Sequence, residues 1–329
     1  MNPSTSEGIM TTTDTTAPAP AASLRGVVPP LLTPLTEAGE LDVPSLERLV
    51  AHHLDAGVDG LFVLGSSGEV AFFDDAMRAR VLEAVTGIVG GQVPLLIGVI
   101  DTETSRVMAQ MRAAERFAPA GFVATAPFYA ITGPDEIDAH FRALGAAASA
   151  PLWAYDIPVC VHVKLAPGHL VQLGTDGVIA GVKDSSGDDV SFRRLVAMNR
   201  AAGSPLTILT GHETVVDGAY LAGADGSVPG LGNVDPAGYV RMHRAAMAGD
   251  WATVRAEQDR LAALFEIVFQ PIGFTGPAMG VGAFKTALRE LGIIATNTMS
   301  TPLRSLDDAS VQRIRAVLES TGHLADASR

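Results

Sequence analysis

A chain of 329 residues, 47% hydrophobic and 18% charged, is long enough to bury a large core, as two average domains or as one α/β barrel with an appendage. Its formal net charge of -13 repels polyanionic nucleic acid and acidic membrane surfaces, while leaving room for a small anion held by local donors. The one cysteine, Cys160, excludes an internal disulfide and a thiol-based metal site, and suits a reducing compartment.

The opening "MNPSTSEGIMTTTDTTAPAPAAS" has neither a basic start nor an apolar stretch, so it reads as neither signal nor anchor. Its Thr, Ala and Pro content predicts a disordered tail over 1–24. No later segment offers an apolar run of about 18 residues, so the expected location is the cytoplasm, with no membrane partner.

From Arg25 onward short β-branched runs alternate with longer helical patterns, the order of a parallel sheet covered by helices. The runs are "GVVPPLLTP" near residue 30, "GLFVLG" 60–65, "VPLLIGVI" 93–100, "GFVATAP" 121–127, "PLWAYDIP" 151–158, "VIAGVK" 178–183, "LTILTG" 206–211 and "DGSVPG" 225–230. Eight candidates, each followed by a helical segment, predict a (β/α)8 TIM barrel over 25–246. In the first helix Asp42 is the expected N-cap and Pro44 fits the first turn; Val43, Leu46, Leu49, Val50 and Leu54 form one apolar stripe that Gly57 ends. The pattern recurs: "DAGVDG" 55–60 and "LAGADG" 221–226 both stop a helix on glycine before a strand. After residue 246 "DWATVRAEQDRLAALFEIV" and "MGVGAFKTALRELGI" predict a C-terminal helical subdomain over 247–325, with the Gly/Pro-rich "FQPIGFTGP" between them.

Active sites of such barrels lie at the C-terminal ends of the strands. The polar residues there are "GSSGE" (Gly65 to Glu69), "PFY" (Pro127 to Tyr129), "YDIP" (Tyr155 to Pro158), Lys183-Asp184 and "TGHE" (Thr210 to Glu213). Only three lysines stand against twenty arginines. Lys285 falls on an amphipathic helix and Lys164 follows a Pro-containing turn, so both are expected in solvent. Lys183 sits at a strand end, where partial burial favours the neutral amine that attacks a carbonyl; the competing reading is an ion pair with Asp184 or Glu69. Tyr155 with Ser66 or Ser67 would supply a proton shuttle, against the alternative of a buried tyrosine with a satisfied hydroxyl. "GSSGE" lacks the lysine and spacing of a phosphate loop, but its hydroxyls and amides suit a carboxylate. The eight histidines form no HExxH or HxH cluster, which disfavours a metal; His162 and His212 read as pocket-rim residues.

Taken in order, "GSSGE", "PFY", "YDIP", "GVKDSSGD" and "GADGSV" resemble the dihydrodipicolinate synthase and N-acetylneuraminate lyase superfamily from about Gly26 to about Leu291, with Tyr155 28 residues before Lys183. The resemblance implies a class I lyase that uses no cofactor beyond a covalent imine between Lys183 and pyruvate. Tyr155 would relay protons with Ser66, and Ser66 and Ser67 would hold the keto acid's carboxylate near the Val228 carbonyl. Tyr129, beside Phe128, would complete the relay from a neighbouring subunit, in a homotetramer built as a dimer of dimers.

Departures from the pattern concern the second substrate. Cys160 stands where true synthases carry an arginine for the aldehyde's carboxylate, and a neutral thiol cannot make that contact. Asp156 replaces a usual asparagine and His162 a usual glycine. Glu213 matches an acidic residue that binds hydroxyls in sialic acid lyases, but Thr214 replaces the second one, so Glu213, His212 and His162 would hold a smaller polyol or another aldehyde. The leading expectation is an aldolase cleaving a 2-keto-3-deoxy sugar acid or a 4-hydroxy-2-keto acid to pyruvate and an aldehyde. The alternatives are a dehydratase on a related acid, a 4-hydroxy-tetrahydrodipicolinate synthase using aspartate semialdehyde, and a non-catalytic keto-acid-binding paralogue.

Overall fold

The computed structural model describes residues 24–325; apart from Leu24, the expected disordered tail lies outside the described residues. Eight parallel strands form one sheet: β1 (Gly26–Val27), β2 (Leu61–Val63), β3 (Leu95–Gly98), β4 (Gly121–Thr125), β5 (Leu152–Asp156), β6 (Gly181–Asp184), β7 (Thr207–Thr210) and β8 (Gly226–Ser227). Their order is β1-β8-β7-β6-β5-β4-β3-β2. A parallel bridge between Pro30 and Phe62 joins the two ends, with Leu31 N donating to Phe62 O at 2.8 Å and Phe62 N to Pro29 O at 3.0 Å. The sheet therefore closes as the alternating order predicts, into a (β/α)8 barrel. The first run pairs as a strand for only two residues because the prolines at 29 and 30 have no N–H to give a ladder.

Around the barrel lie α1 (Val43–Ala56), α2 (Asp75–Val89), α3 (Thr104–Ala114), α4 (Pro134–Ala147), the single turn α5 (Pro158–Val161), α6 (Pro167–Thr175), α7 (Asp189–Ala201), α8 (Val216–Ala222) and α9 (Pro236–Ala248). They are followed by α10 (Trp251–Phe265), α11 (Gly276–Glu290) and α12 (Asp308–Ser320). The last has the same start signal as α1: Asp307 accepts from Ser310 N at 2.8 Å, as Asp42 accepts from Ser45 N at 3.1 Å. Among the described residues no helix is long and apolar enough to cross a membrane.

Helix α1 departs from its predicted stripe. Val43 is 39% exposed in the first turn, and fully buried His53 takes the inward position beside half-buried Leu54. His53 Nε2 lies 3.2 Å from Asn233 Oδ1, which also accepts from Leu32 N at 3.1 Å; Asn233 Nδ2 donates to Pro30 O and Gly230 O, each at 2.9 Å. This cluster ties the loops after β1 and β8 together at the barrel seam. Burial, with the charge of His52 beside it, pushes His53 down to about 3. The folded state then binds fewer protons than the unfolded one below pH 6.5, so stability present above 6.5 is lost as pH falls toward 3, at up to about 1.4 kcal/mol per unit. Urea midpoints at pH 7.5 and 5.0 are expected to differ less in His53→Gln than in wild type.

Candidate active site

Strands β5 and β6 pair in register, Tyr155 with Lys183 and Asp156 with Asp184. Because side chains alternate along a strand, Tyr155 and Lys183 share one face and the two aspartates the other. The inner pair meets in a cavity of 230 Å³ lined also by Ser66, Ser67, Glu213 and Val228. Lys183 is 5% exposed, its Nζ 4.2 Å from the Tyr155 ring centre and 4.8 Å from that of Phe62. At these distances both rings flank the nitrogen without supplying it a carboxylate partner.

Both carboxylates considered as partners for Lys183 are engaged elsewhere. Asp184 lies 3.7 Å from Lys164 Nζ, and Lys164 also pairs with Asp156. Glu69 pairs with Lys285. Among the described residues Lys183 has no carboxylate at ion-pair distance, and no hydrogen bond holds the Tyr155 hydroxyl.

The expectation that Lys285 and Lys164 are solvated is corrected. Lys285 is fully buried, with Nζ donating to Thr298 O at 2.8 Å, while Glu69 Oε2 accepts from Ser300 N at 2.7 Å. Helix α11 is covered on nearly every side, by the barrel mouth and by its C-terminal neighbours, so its polar position is not a solvent position. Lys164 keeps 28% of its side chain exposed because Asp156, which is wholly buried, draws it inward. Burial pushes Asp156 up to about 6, against the opposing pull of Lys164.

The loop carrying Ser66 and Ser67 is bracketed by two non-glycine residues in the left-handed region, Leu64 (φ 58°) and Glu69 (φ 61°). Such conformations persist only where surrounding bonds hold them, and the Glu69–Lys285 pair is one of those bonds. Gly211, after β7, is constrained from the other side: a Cβ there would sit 2.0 Å from Ser185 Oγ and 3.2 Å from Lys183 Cε.

The structure does not bring the remaining candidates together. Asp156 faces away from the cavity, bonded to Lys164 and, at 3.1 Å, to Leu165 N. Cys160 and His162 are exposed on and after α5, His162 at φ 61°, a left-handed position that glycine adopts most readily. His212 lines a separate 290 Å³ cavity between the ends of β6 and β7 and helices α7 and α8. Tyr129 is 96% exposed on the loop after β4. Among the described residues no group of three or more His, Cys, Asp or Glu side chains is placed to hold a metal ion.

Glu213 does enter the cavity. Its Oε1 accepts from Leu231 N at 2.5 Å, and its carbonyl accepts from Tyr239 Oη at 3.1 Å and Gln258 Nε2 at 3.2 Å. Burial pushes its carboxyl from 4.5 to about 7, although the Leu231 amide and the Lys183 charge both pull it down. The neutral form therefore favours folding: that contribution is complete below pH 4.5 and is lost as pH rises through 7. Glu213→Gln is expected to gain stability over wild type across this window, on the order of 1 kcal/mol after allowing for partial exposure, read from urea midpoints at pH 5 and 8.

Several wall residues were not singled out in the sequence. Ile157, Phe265, Val268, Pro277, Val281 and Phe284 line the cavity, four of them on α11 or just after α10. The apolar residues of α11 on two faces were the available signal, since one face packs the C-terminal helices and the other roofs the barrel.

A model of the dihydrodipicolinate synthetase family matches residues 23–321. The chain is 30% identical over 302 residues to an N-acetylneuraminate lyase of Citrobacter koseri, covering 91% of this chain and 97% of that protein. It is also 30% identical over 299 residues to a 4-hydroxy-tetrahydrodipicolinate synthase of Cereibacter sphaeroides, covering 91% and 99%. The crystal structure of dihydrodipicolinate synthase from Thermotoga maritima superimposes with a TM-score of 0.85 at 26% identity, over 92% of this chain and 99% of that one. Barrel, cavity and relatives agree: the chain belongs to the dihydrodipicolinate synthetase family of carbon–carbon lyases.

Proposed function

We propose that Lys183 forms an imine with the C2 carbonyl of a pyruvate-type keto acid, and that the enzyme is an aldolase interconverting a 4-hydroxy-2-keto acid with pyruvate and an aldehyde. The observation that carries this reading is a buried lysine at the cavity, beside a tyrosine and two serines, with no carboxylate at ion-pair distance among the described residues. In cleavage the Lys183 amine adds to C2 and water leaves. The C3–C4 electron pair then flows into the iminium as Tyr155 takes the proton from the C4 hydroxyl, which releases the aldehyde. The enamine takes a proton at C3, and hydrolysis returns Lys183 and pyruvate. Ser66 and Ser67 hold the carboxylate, and Ser66 passes protons to and from Tyr155, with the Val228 carbonyl nearby.

Tyr129 and Ile131, 96% and 94% exposed on one loop, support an oligomer in which this loop reaches a neighbouring subunit and Tyr129 completes the relay there. The test of the reading is borohydride reduction in the presence of pyruvate. An adduct mapped by mass spectrometry to Lys183 is expected; none at millimolar pyruvate would sink it.

A further inference from the structure

We propose that the aldehyde this enzyme handles is apolar, carrying an aromatic ring or a branched aliphatic group, with neither a carboxylate nor a polyol chain. The inference rests on the imine reading above and concerns the half of the cavity that the keto acid leaves free.

The polar inventory is short. Lys183, Tyr155, Ser66 and Ser67 are committed to the keto acid, so among the described residues Ser185 and Glu213 are the only other polar side chains on the cavity wall. The other side chains on the wall are apolar, among them Ile157, Phe265, Val268, Pro277, Val281 and Phe284. The rings of Phe265 and Phe284 lie 6.4 Å apart at a tilt of 55°, a spacing at which aromatic faces and edges attract. Gly230 keeps this corner open, since a Cβ there would stand 2.8 Å from Glu213 Oε1 and 2.9 Å from Phe284. The volume of 230 Å³ lies below the roughly 300–1,000 Å³ of sites for drug-sized ligands, so the partner is small.

Each candidate class can be set against that wall. A carboxylate-bearing aldehyde needs a cationic donor, and among the described residues no arginine lines the cavity, while its lysine is consumed by the imine. A polyhydroxylated aldehyde would give up several hydrogen bonds to water against Val and Phe surfaces, with one serine and one carboxyl to replace them, at roughly tenfold in kcat/KM per unpaired hydroxyl. His162 and His212, which would have supplied further donors, lie outside the cavity. An aromatic or branched aldehyde leaves nothing unpaired. Its single oxygen meets Tyr155, and Glu213, held up to about 7 by burial, can in its protonated form donate to one ring hydroxyl where there is one.

In the synthetic direction the enamine of Lys183 and pyruvate gives its C3 electron pair to the aldehyde carbon, and the aldehyde oxygen takes the Tyr155 proton. Water then hydrolyses the imine, returning the lysine and a 4-hydroxy-2-keto acid with the apolar group on C4. The water that entered is the one released when the imine formed.

The experiment uses the full-length protein with fixed pyruvate and four aldehydes: benzaldehyde, 2-methylpropanal, glyceraldehyde and aspartate semialdehyde. Pyruvate loss and product mass are followed. The expected result is a kcat/KM for benzaldehyde or 2-methylpropanal at least about tenfold above both others. Val281→Thr, which adds one hydroxyl to the wall at nearly constant volume, should narrow the gap to glyceraldehyde by about threefold. Borohydride trapping of pyruvate in the same preparation separates the two levels. An adduct on Lys183 with glyceraldehyde or aspartate semialdehyde preferred, with no aldehyde turned over, or with an unchanged gap in Val281→Thr, overturns the apolar class and leaves the imine standing; no adduct overturns both.

Discussion

Lys183→Ala is expected to abolish the borohydride-trapped adduct and to lower kcat/KM by roughly 10⁴-fold or more, about 5.5 kcal/mol of transition-state stabilisation. The size follows from the role. Without the amine there is no iminium to accept the C3–C4 electrons, and no other lysine can substitute: Lys164 is held by Asp156 and Lys285 by Glu69. Tyr155→Phe should behave differently. The amine remains, so an adduct with pyruvate still forms, more slowly, while the proton relay is gone and kcat falls about 10²- to 10⁴-fold. Packing should survive, because the ring stays against Phe62, whose centre lies 6.0 Å away edge-on. Full activity in Lys183→Ala, or loss of trapping in a folded Tyr155→Phe, would reverse these assignments.

The largest stability effect is expected at Lys285. Replacing it by methionine leaves the buried Glu69 carboxylate without a counter-charge, with only the Ser300 amide to hold it, at a cost of about 3–5 kcal/mol in urea unfolding. Removing both charges together, as Glu69→Gln with Lys285→Met, should recover most of that loss, since the lone buried charge dominates the penalty. The pair also anchors the Ser66–Ser67 loop to the C-terminal helices through Ser300 N and Thr298 O. The double variant should therefore fold yet show a raised KM for pyruvate. A single Lys285→Met variant as stable as wild type would mean that Glu69 is held mainly by the Ser300 amide.

What could be read from the sequence, and what could not, divides along the range of the interactions. Strand alternation, the glycine stops and the order of five motifs are local or ordered signals, and they led to the barrel, to Lys183 and Tyr155 on neighbouring strands, and to the family. Register then brought Tyr155 opposite Lys183 without any further assumption. The lysine partners were hidden because Glu69 and Lys285 are far apart in sequence and no periodicity links them. "AFKTALREL" has the polar spacing of a solvated helix, and only the second layer packed on α11 makes it an interior one. For the same reason nothing in the helical pattern of the C-terminal segments marks Phe265, Val281 and Phe284 as walls of the cavity. His212 and Glu213, both in the "TGHE" strand end, are expected to share one pocket, but successive residues after a strand end point to different sides, and the two face different cavities.

The seam of the barrel has a consequence for synthesis of the chain. Asn233 binds Leu32 from 201 positions away, and β1 pairs with β8 across a comparable separation. At a translation rate of about 5–20 residues per second, roughly 10–40 s pass between the emergence of the first strand and that of the segment that seals it. Throughout that interval the nascent polypeptide carries an open strand edge and a half-built interior, the state in which a newborn protein most needs a chaperone's cover.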